Sequence, residues 1–390
     1  MSHRYAGPVI LSIGFRPFFI AAGAWAILSV LAWLAALTGL FTLPGHIAPN
    51  EWHFNELLFG VIGAAMTGFL LTAVPNWTGR LQLRGLALLL LFALWCAGRA
   101  AAVFGESLGG AATAIVDCAF FVVFVGLLSR EILHGRNWRN LPVAGAAGMF
   151  GIAHIVFYLE ALGTADLGGA GQRLGLGVIA CLLSLIGGRI VPSFTSNWLK
   201  RHGGVQGARG VSAILGPVDK AALLITVLSF SAWVFAAEHP VTGYALVIAG
   251  AANLLRLARW RGMQTFAEPL LFVLHAGYAW LAVSFILLGA AVLSSQIAQA
   301  DALHALTIGA AGTMILAVMS RAILGHTGRD LHGDKVTIFA YGLISAAALT
   351  RLGVIIMPGH VMELSSLSGG AWIIAFGLFL WRYGPIAFRG

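Results

Sequence analysis

The stretch EWHFNELLFG, residues 51–60, sets the imidazole of His53 and the carboxylate of Glu56 one helical turn apart at the mouth of an apolar run that continues to Val74. At i and i+3 the two share a helix face. An imidazole offers a lone pair to a metal or a proton to an acceptor, and a carboxylate beside it can orient the ring or carry protons. The plain alternative for Glu56 is an interfacial carboxylate at the first turn of a helix, where negative charge suits the helix dipole. His304 opens a later apolar run in the same way, while His154 and His275 lie deeper inside two others. A neutral ring bonded to a backbone carbonyl of a neighbouring helix is the bland reading of each. The other eight histidines, His3, His46, His134, His202, His239, His326, His332 and His360, fall in loops and read as solvated or interfacial groups. Arg99 and Asp117 stand equidistant from Leu108, on the two arms of a hairpin. A structural ion pair between them spares the cost of a lone charge in hydrocarbon.

The elements that carry these residues follow from composition. Of 390 residues, 59% are hydrophobic and 9% charged, and the mean hydropathy is +0.90. These values lie outside the range of soluble domains and indicate an integral membrane protein. Apolar runs near 20 residues recur from end to end, each enough to cross a hydrocarbon core of about 30 Å at roughly 1.5 Å per residue. Twelve are expected, at roughly Phe18–Leu40, Phe54–Val74, Leu86–Phe104, Ala111–Leu133, Pro142–Leu162, Leu174–Pro192, Ala221–Ala237, Thr242–Leu257, Leu270–Leu293, Ala302–Ile323, Val336–Met357 and Gly370–Ile386. Barrel strands would instead alternate over about ten residues. The fold class is therefore all-α, a polytopic membrane protein whose residues 1–390 form a single integral membrane domain.

Charge then orients the spans. Twenty of the 23 Lys and Arg residues fall in every second loop, and the alternate loops hold Glu51, Glu106, Asp166, Glu238, Asp301 and Glu363. By the positive-inside rule both termini are cytoplasmic. In this count Arg256 belongs to a basic loop. The net charge of +9 is the sum of those loops, so it reads as orientation, with no basic patch interleaved with aromatics to suggest nucleic acid. Cys96, Cys118 and Cys181 are isolated in expected helices, which speaks against a disulfide, a zinc knuckle or a covalently attached haem. Met1–Arg16 has no signal peptide's cleavage pattern. The longest loop, roughly Ser193–Lys220, is Gly- and Arg-rich.

A faint repeat runs through the chain. After the second, sixth and tenth helices it reads TAVPNWTGR (72–80), RIVPSFTSNW (189–198) and RAILGHTGR (321–329), and aligning Thr78, Thr195 and Thr327 spaces these turns 117 and 132 residues apart. Three units of four helices follow. The competing reading is that helix ends share Pro, Gly, Asn and Arg for capping.

These motifs, with GFRPFF (14–19), WHFNELLFG (52–60), GFLLTAVPNWTGR (68–80), EPLLFVLHAGYAW (268–280) and HALTIGAAGTMILAVMSRAILGHTGR (304–329), resemble the signatures of the NnrS family along the whole chain. The family usually reads W-H-x-H-E-M in the second helix, whereas Asn55 and Leu57 stand here where the second His and the Met are expected. Only His53 carries over. The resemblance implies a haem- and copper-containing, multi-pass protein of the bacterial inner membrane that responds to nitric oxide, with lipid and nitric oxide as partners.

Haem iron takes one or two axial imidazoles held on rigid elements. On sequence grounds His53 and His304 meet that need for a haem b, with His275 and His154 as alternative haem or copper ligands. A haem held between the second and tenth of twelve helices looks like the arrangement in haem–copper oxidases and their nitric oxide reductase relatives, an analogy at the level of fold. Those enzymes carry three further histidines on their sixth and seventh helices, which this chain lacks. Copper would draw on His154 or His275 with Met or backbone partners. The expected function is to bind nitric oxide against nitrosative stress and, as an oxidoreductase of the nitric oxide reductase kind, to reduce it with Glu56 as a proton donor. Sensing or sequestration without turnover, and a twelve-helix transporter with two-fold halves, are the alternatives.

Overall fold

A computed structural model describes residues 5–43, 45–207, 210–211 and 214–389. Helices dominate and no strand occurs among the described residues. Among the described residues twelve helices are long and apolar enough to cross a membrane: α1 (Phe15–Leu37), α2 (Pro49–Thr78), α3 (Leu86–Ser107), α4 (Gly110–His134), α5 (Trp138–Ala161), α6 (Ala170–Gly204), α7 (Pro217–Phe235), α8 (Pro240–Ala258), α9 (Pro269–Leu293), α10 (Gln299–His326), α11 (Lys335–Ile356) and α12 (Pro358–Phe388). They correspond one to one with the apolar runs. In hydrocarbon every backbone group must be satisfied within the segment, which leaves the helix as the form these runs can take.

The ends differ from the sequence reading in informative places. The helix of α2 begins at Pro49, ahead of the expected Phe54, with proline in its first turn and Glu51 accepting the Ala48 N–H at 3.0 Å. Proline's fixed φ and missing donor suit a first turn, and the Glu51 carboxylate satisfies a backbone donor there. His53 therefore sits inside the helix rather than opening it. The stretch read as a loop from Ser193 is helical up to Gly204, where φ of 65° breaks the run; residues 208–209 and 212–213 of that stretch lie outside the described residues. His134, His202 and His326, placed in loops from the sequence, are helical as well. Beyond the hydrocarbon a helix still satisfies its own backbone, so polar turns extend it past the apolar run.

Arg16 of the FRPFF motif is 5% exposed. Its Nη1 donates to the carbonyls of Ala387 at 2.6 Å and Arg389 at 3.0 Å. The arginine thus caps orphan carbonyls at the end of α12.

The helices group into two compact units, residues 1–178, 322–329 and 379–390 in the first and 179–321 and 330–378 in the second. The first is built on phenylalanine: Phe18, Phe59, Phe120, Phe121, Phe150 and Phe157 are buried, with ring centroids as close as 4.9 Å for Phe59–Phe150 and Phe120–Phe121. Lipid tails remove most of the hydrophobic driving force between spans, so such interlocking contact and ring geometry must hold them. The second unit uses small residues. A Cβ on Gly250 would stand 2.8 Å from the Ala282 carbonyl, and one on Gly289 2.6 Å from that of Gly243. Backbone therefore meets backbone between α8 and α9.

Among the described residues three spans contain a π-helical stretch, Glu56–Ile62 in α2, Leu183–Gly187 in α6 and Ala305–Gly312 in α10. They are the same three spans whose ends carry the similar segments, and the middle segment, residues 189–198, is helical within α6 and not a turn.

Candidate functional site

The π-helical stretch of α2 starts at Glu56. Such wide turns frequently mark functional positions because they redirect side chains out of the regular helical order. Asn55 and Glu56 are both fully buried, at 0% exposure. Glu56 Oε2 accepts from Trp25 Nε1 of α1 at 2.6 Å and from Arg99 Nη1 of α3 at 2.7 Å, and its Oε1 accepts from Asn55 Nδ2 at 2.9 Å. Arg99 Nη2 donates to Asp117 of α4. Asp117 Oδ2 in turn accepts from Tyr158 of α5 at 2.8 Å and from Asn55 Nδ2 at 3.1 Å. His154 Nε2 lies 2.9 Å from Asn55 Oδ1.

Glycine admits this knot. A Cβ on Gly60 would lie 2.8 Å from Arg99 Nη1, and one on Gly98 2.6 Å from Asp117 Oδ1. The partners also fix the protons. Asn55 presents its amide nitrogen to two carboxylates and its oxygen to His154, so His154 carries its proton on Nε2. Its Nδ1 is buried with no partner, and Phe59 stacks on the ring at 4.1 Å. Two carboxylates face one guanidinium, and the knot lacks one positive charge unless it takes up a proton. Buried ionisable groups at membrane depth are functional candidates for that reason.

The structure brings together Glu56, Arg99, Asp117 and His154 of the residues picked from sequence. His53 is elsewhere in the same unit, its ring stacked on Trp33 at 4.4 Å.

His304 and His275 belong to the second unit. Half-buried His304 donates Nδ1–H to the Ala300 carbonyl at 2.8 Å, and the π-helical stretch of α10 begins at the next residue. That bond fixes the tautomer and leaves Nε2 with its lone pair. One turn earlier, Asp301 pairs with Arg351 of α11 at 2.9 Å. His275, 5% exposed, has Nε2 at 2.9 Å from Thr195 Oγ1, whose own proton goes to the Val191 carbonyl at 2.8 Å. His275 is therefore the donor, and its Nδ1 is buried without a partner.

The second unit also holds a polar knot that the sequence reading missed. Arg256, counted from sequence among loop charges, is fully buried. Its Nε donates to Asp219 at 2.8 Å and its Nη1 to the Ser184 carbonyl at 2.8 Å and to Tyr278 at 2.9 Å. Tyr278 then donates to Asn253 at 2.6 Å, and Asn253 to Thr226 at 2.9 Å. Ser184 lies in the π-helical stretch of α6, and a Cβ on Gly188 would overlap Arg256 Nη2. The spacing of Asn253 and Arg256, one turn apart on one helix face, was the available signal.

A single imidazole with a fixed tautomer suits an axial position on haem iron; His304, His275 and His154 each meet that requirement, and of the three His304 is the one that is half-buried. Among the described residues no three His, Cys, Asp or Glu side chains form a group that could hold a metal ion.

Twelve apolar helices and buried ion pairs define a polytopic helical membrane protein with polar chemistry inside its spans. The family model described as NnrS protein matches residues 9–390, and the chain belongs to that family. No curated protein matches it.

Proposed function

We propose that the protein binds haem b in the bacterial inner membrane, with both termini in the cytoplasm, and that it binds nitric oxide there as part of a nitrosative-stress response. Family membership over residues 9–390 supports the nitric oxide context. The observation that carries haem is His304: a half-buried membrane-helix imidazole whose Nδ1–H is tied to the Ala300 carbonyl at 2.8 Å, which leaves Nε2 with its lone pair. A carbonyl in this position raises ligand basicity and holds the ring plane. His53 enters by its sequence position alone.

Haem iron, when bound, supplies a coordination position for nitric oxide and one-electron chemistry. The chain's own contribution is positional and protonic. Glu56 has donors on both oxygens, from Trp25, Arg99 and Asn55, so its carboxylate is held in one orientation. The surplus negative charge shared with Asp117 gives that knot capacity for one proton. Reduction of nitric oxide to nitrous oxide consumes protons, and Glu56 is the group assigned to hold one.

The test is the optical spectrum of the purified full chain with and without nitric oxide, followed by a nitrous oxide assay with an artificial electron donor. A haem spectrum that shifts on adding nitric oxide supports binding. Nitrous oxide formation that slows in Glu56→Gln supports turnover, because the amide keeps the shape and cannot pass a proton. A shift without nitrous oxide assigns the protein to sensing or sequestration. A chain purified without haem after expression with ample haem supply contradicts the proposal.

A further inference from the structure

At one end of the first unit, the last turns of α12 and the segment following α10 enclose an open groove of about 350 Å³ lined by Arg329, Trp381, Arg382, Pro385, Ile386 and Arg389. Half of its lining is arginine and none of it is acidic. Arg382, Pro385 and Ile386 share one side of α12 at i, i+3 and i+4, and Arg389 directly follows the helix's last residue, Phe388. Arg329 arrives from the other element. Gly328, at φ 68°, ends α10, and the Arg329 N–H returns to the Leu324 carbonyl at 3.0 Å. The floor is firm, because Arg16 holds the Ala387 and Arg389 carbonyls at 2.6 and 3.0 Å. Trp381 stands at the groove with 67% of its surface exposed.

We propose that this groove binds the phosphate of an anionic phospholipid of the phosphatidylglycerol type. Guanidinium forks match phosphate oxygens in geometry and in charge. An exposed tryptophan at a span end belongs at headgroup level. Basic pockets at the ends of transmembrane helices are where anionic headgroups settle. Charge decides the headgroup: a zwitterionic lipid would bring its own ammonium into a ring of three arginines, whereas a glycerol headgroup brings none.

The experiment uses the full chain in nanodiscs of phosphatidylcholine with added phosphatidylglycerol, counting the lipids retained on release into native mass spectrometry. The wild type should retain phosphatidylglycerol preferentially. Arg329→Gln with Arg389→Gln should lower that preference about tenfold, and Arg139→Gln, an exposed arginine outside the groove, should leave it unchanged. A second readout stands apart from the arginine variants: brominated phosphatidylglycerol should quench the wild type more than Trp381→Phe. Equal preference in the groove and control variants, equal quenching with and without Trp381, or full displacement of the lipid by millimolar inorganic phosphate would each overturn the assignment.

Discussion

The buried polar knots of the two units are built alike and balanced differently. Each sets one guanidinium beside a π-helical stretch, Arg99 near Glu56–Ile62 and Arg256 near Leu183–Gly187. Each has a tyrosine in the network, Tyr158 in one and Tyr278 in the other. Arg256 faces one carboxylate, Asp219, which the half-exposed Arg259 also approaches at 3.8 Å, so no negative charge is left over. Arg99 faces two, Glu56 and Asp117, and an imidazole stands beside them. A closed pair can hold helices together and has no use for a further proton. An open one has capacity for a proton, and this separates a site for chemistry from a fastening.

The sharpest way to break that contrast is to remove a guanidinium. Arg256→Ala should leave Asp219 with only the half-exposed Arg259 at 3.8 Å and cost roughly 3–5 kcal/mol, seen as loss of monodisperse protein on size exclusion, and Arg256→Ala with Asp219→Ala should recover a large part. A single variant as stable as Arg139→Gln would show that the second knot holds nothing together. Arg99→Ala should lower folded yield as strongly, because two carboxylates are then unpaired. Adding Glu56→Gln should recover part of it, and no recovery would mean the two carboxylates do not share that guanidinium.

Smaller effects sharpen the picture. Gly98→Ala pushes a methyl to 2.6 Å from Asp117 Oδ1, and overpacking of this kind costs about 1–3 kcal/mol in a thermal melt. Glu56→Gln is the mildest. It removes the surplus charge while keeping shape, so the melting temperature should stay within a few degrees of wild type as the proton-consuming rate falls. A large loss of folded protein in Glu56→Gln would make the first knot a fastening like the second.

Much of this was legible in the residues. The spans follow from apolar length, because the bilayer accepts little else. The contact between Arg99 and Asp117 could be read from their equal distance to Leu108. Arg256 was marked only by its one-turn spacing from Asn253, since a cation near a helix end looks like any other inside-loop charge until tertiary contacts bury it. The same holds for Asn55. Sequence marked it as a departure from a family motif, and only the fold shows its amide joining Glu56, Asp117 and His154.

The most direct test of the central reading is the reduced optical spectrum of the purified full chain compared among wild type, His304→Ala and His275→Ala. The account predicts a haem spectrum in wild type and in His275→Ala, and its loss or conversion to a form lacking the His304 ligand in His304→Ala. An unchanged low-spin spectrum in His304→Ala would contradict it, and loss on changing His275 instead would move the haem toward α9.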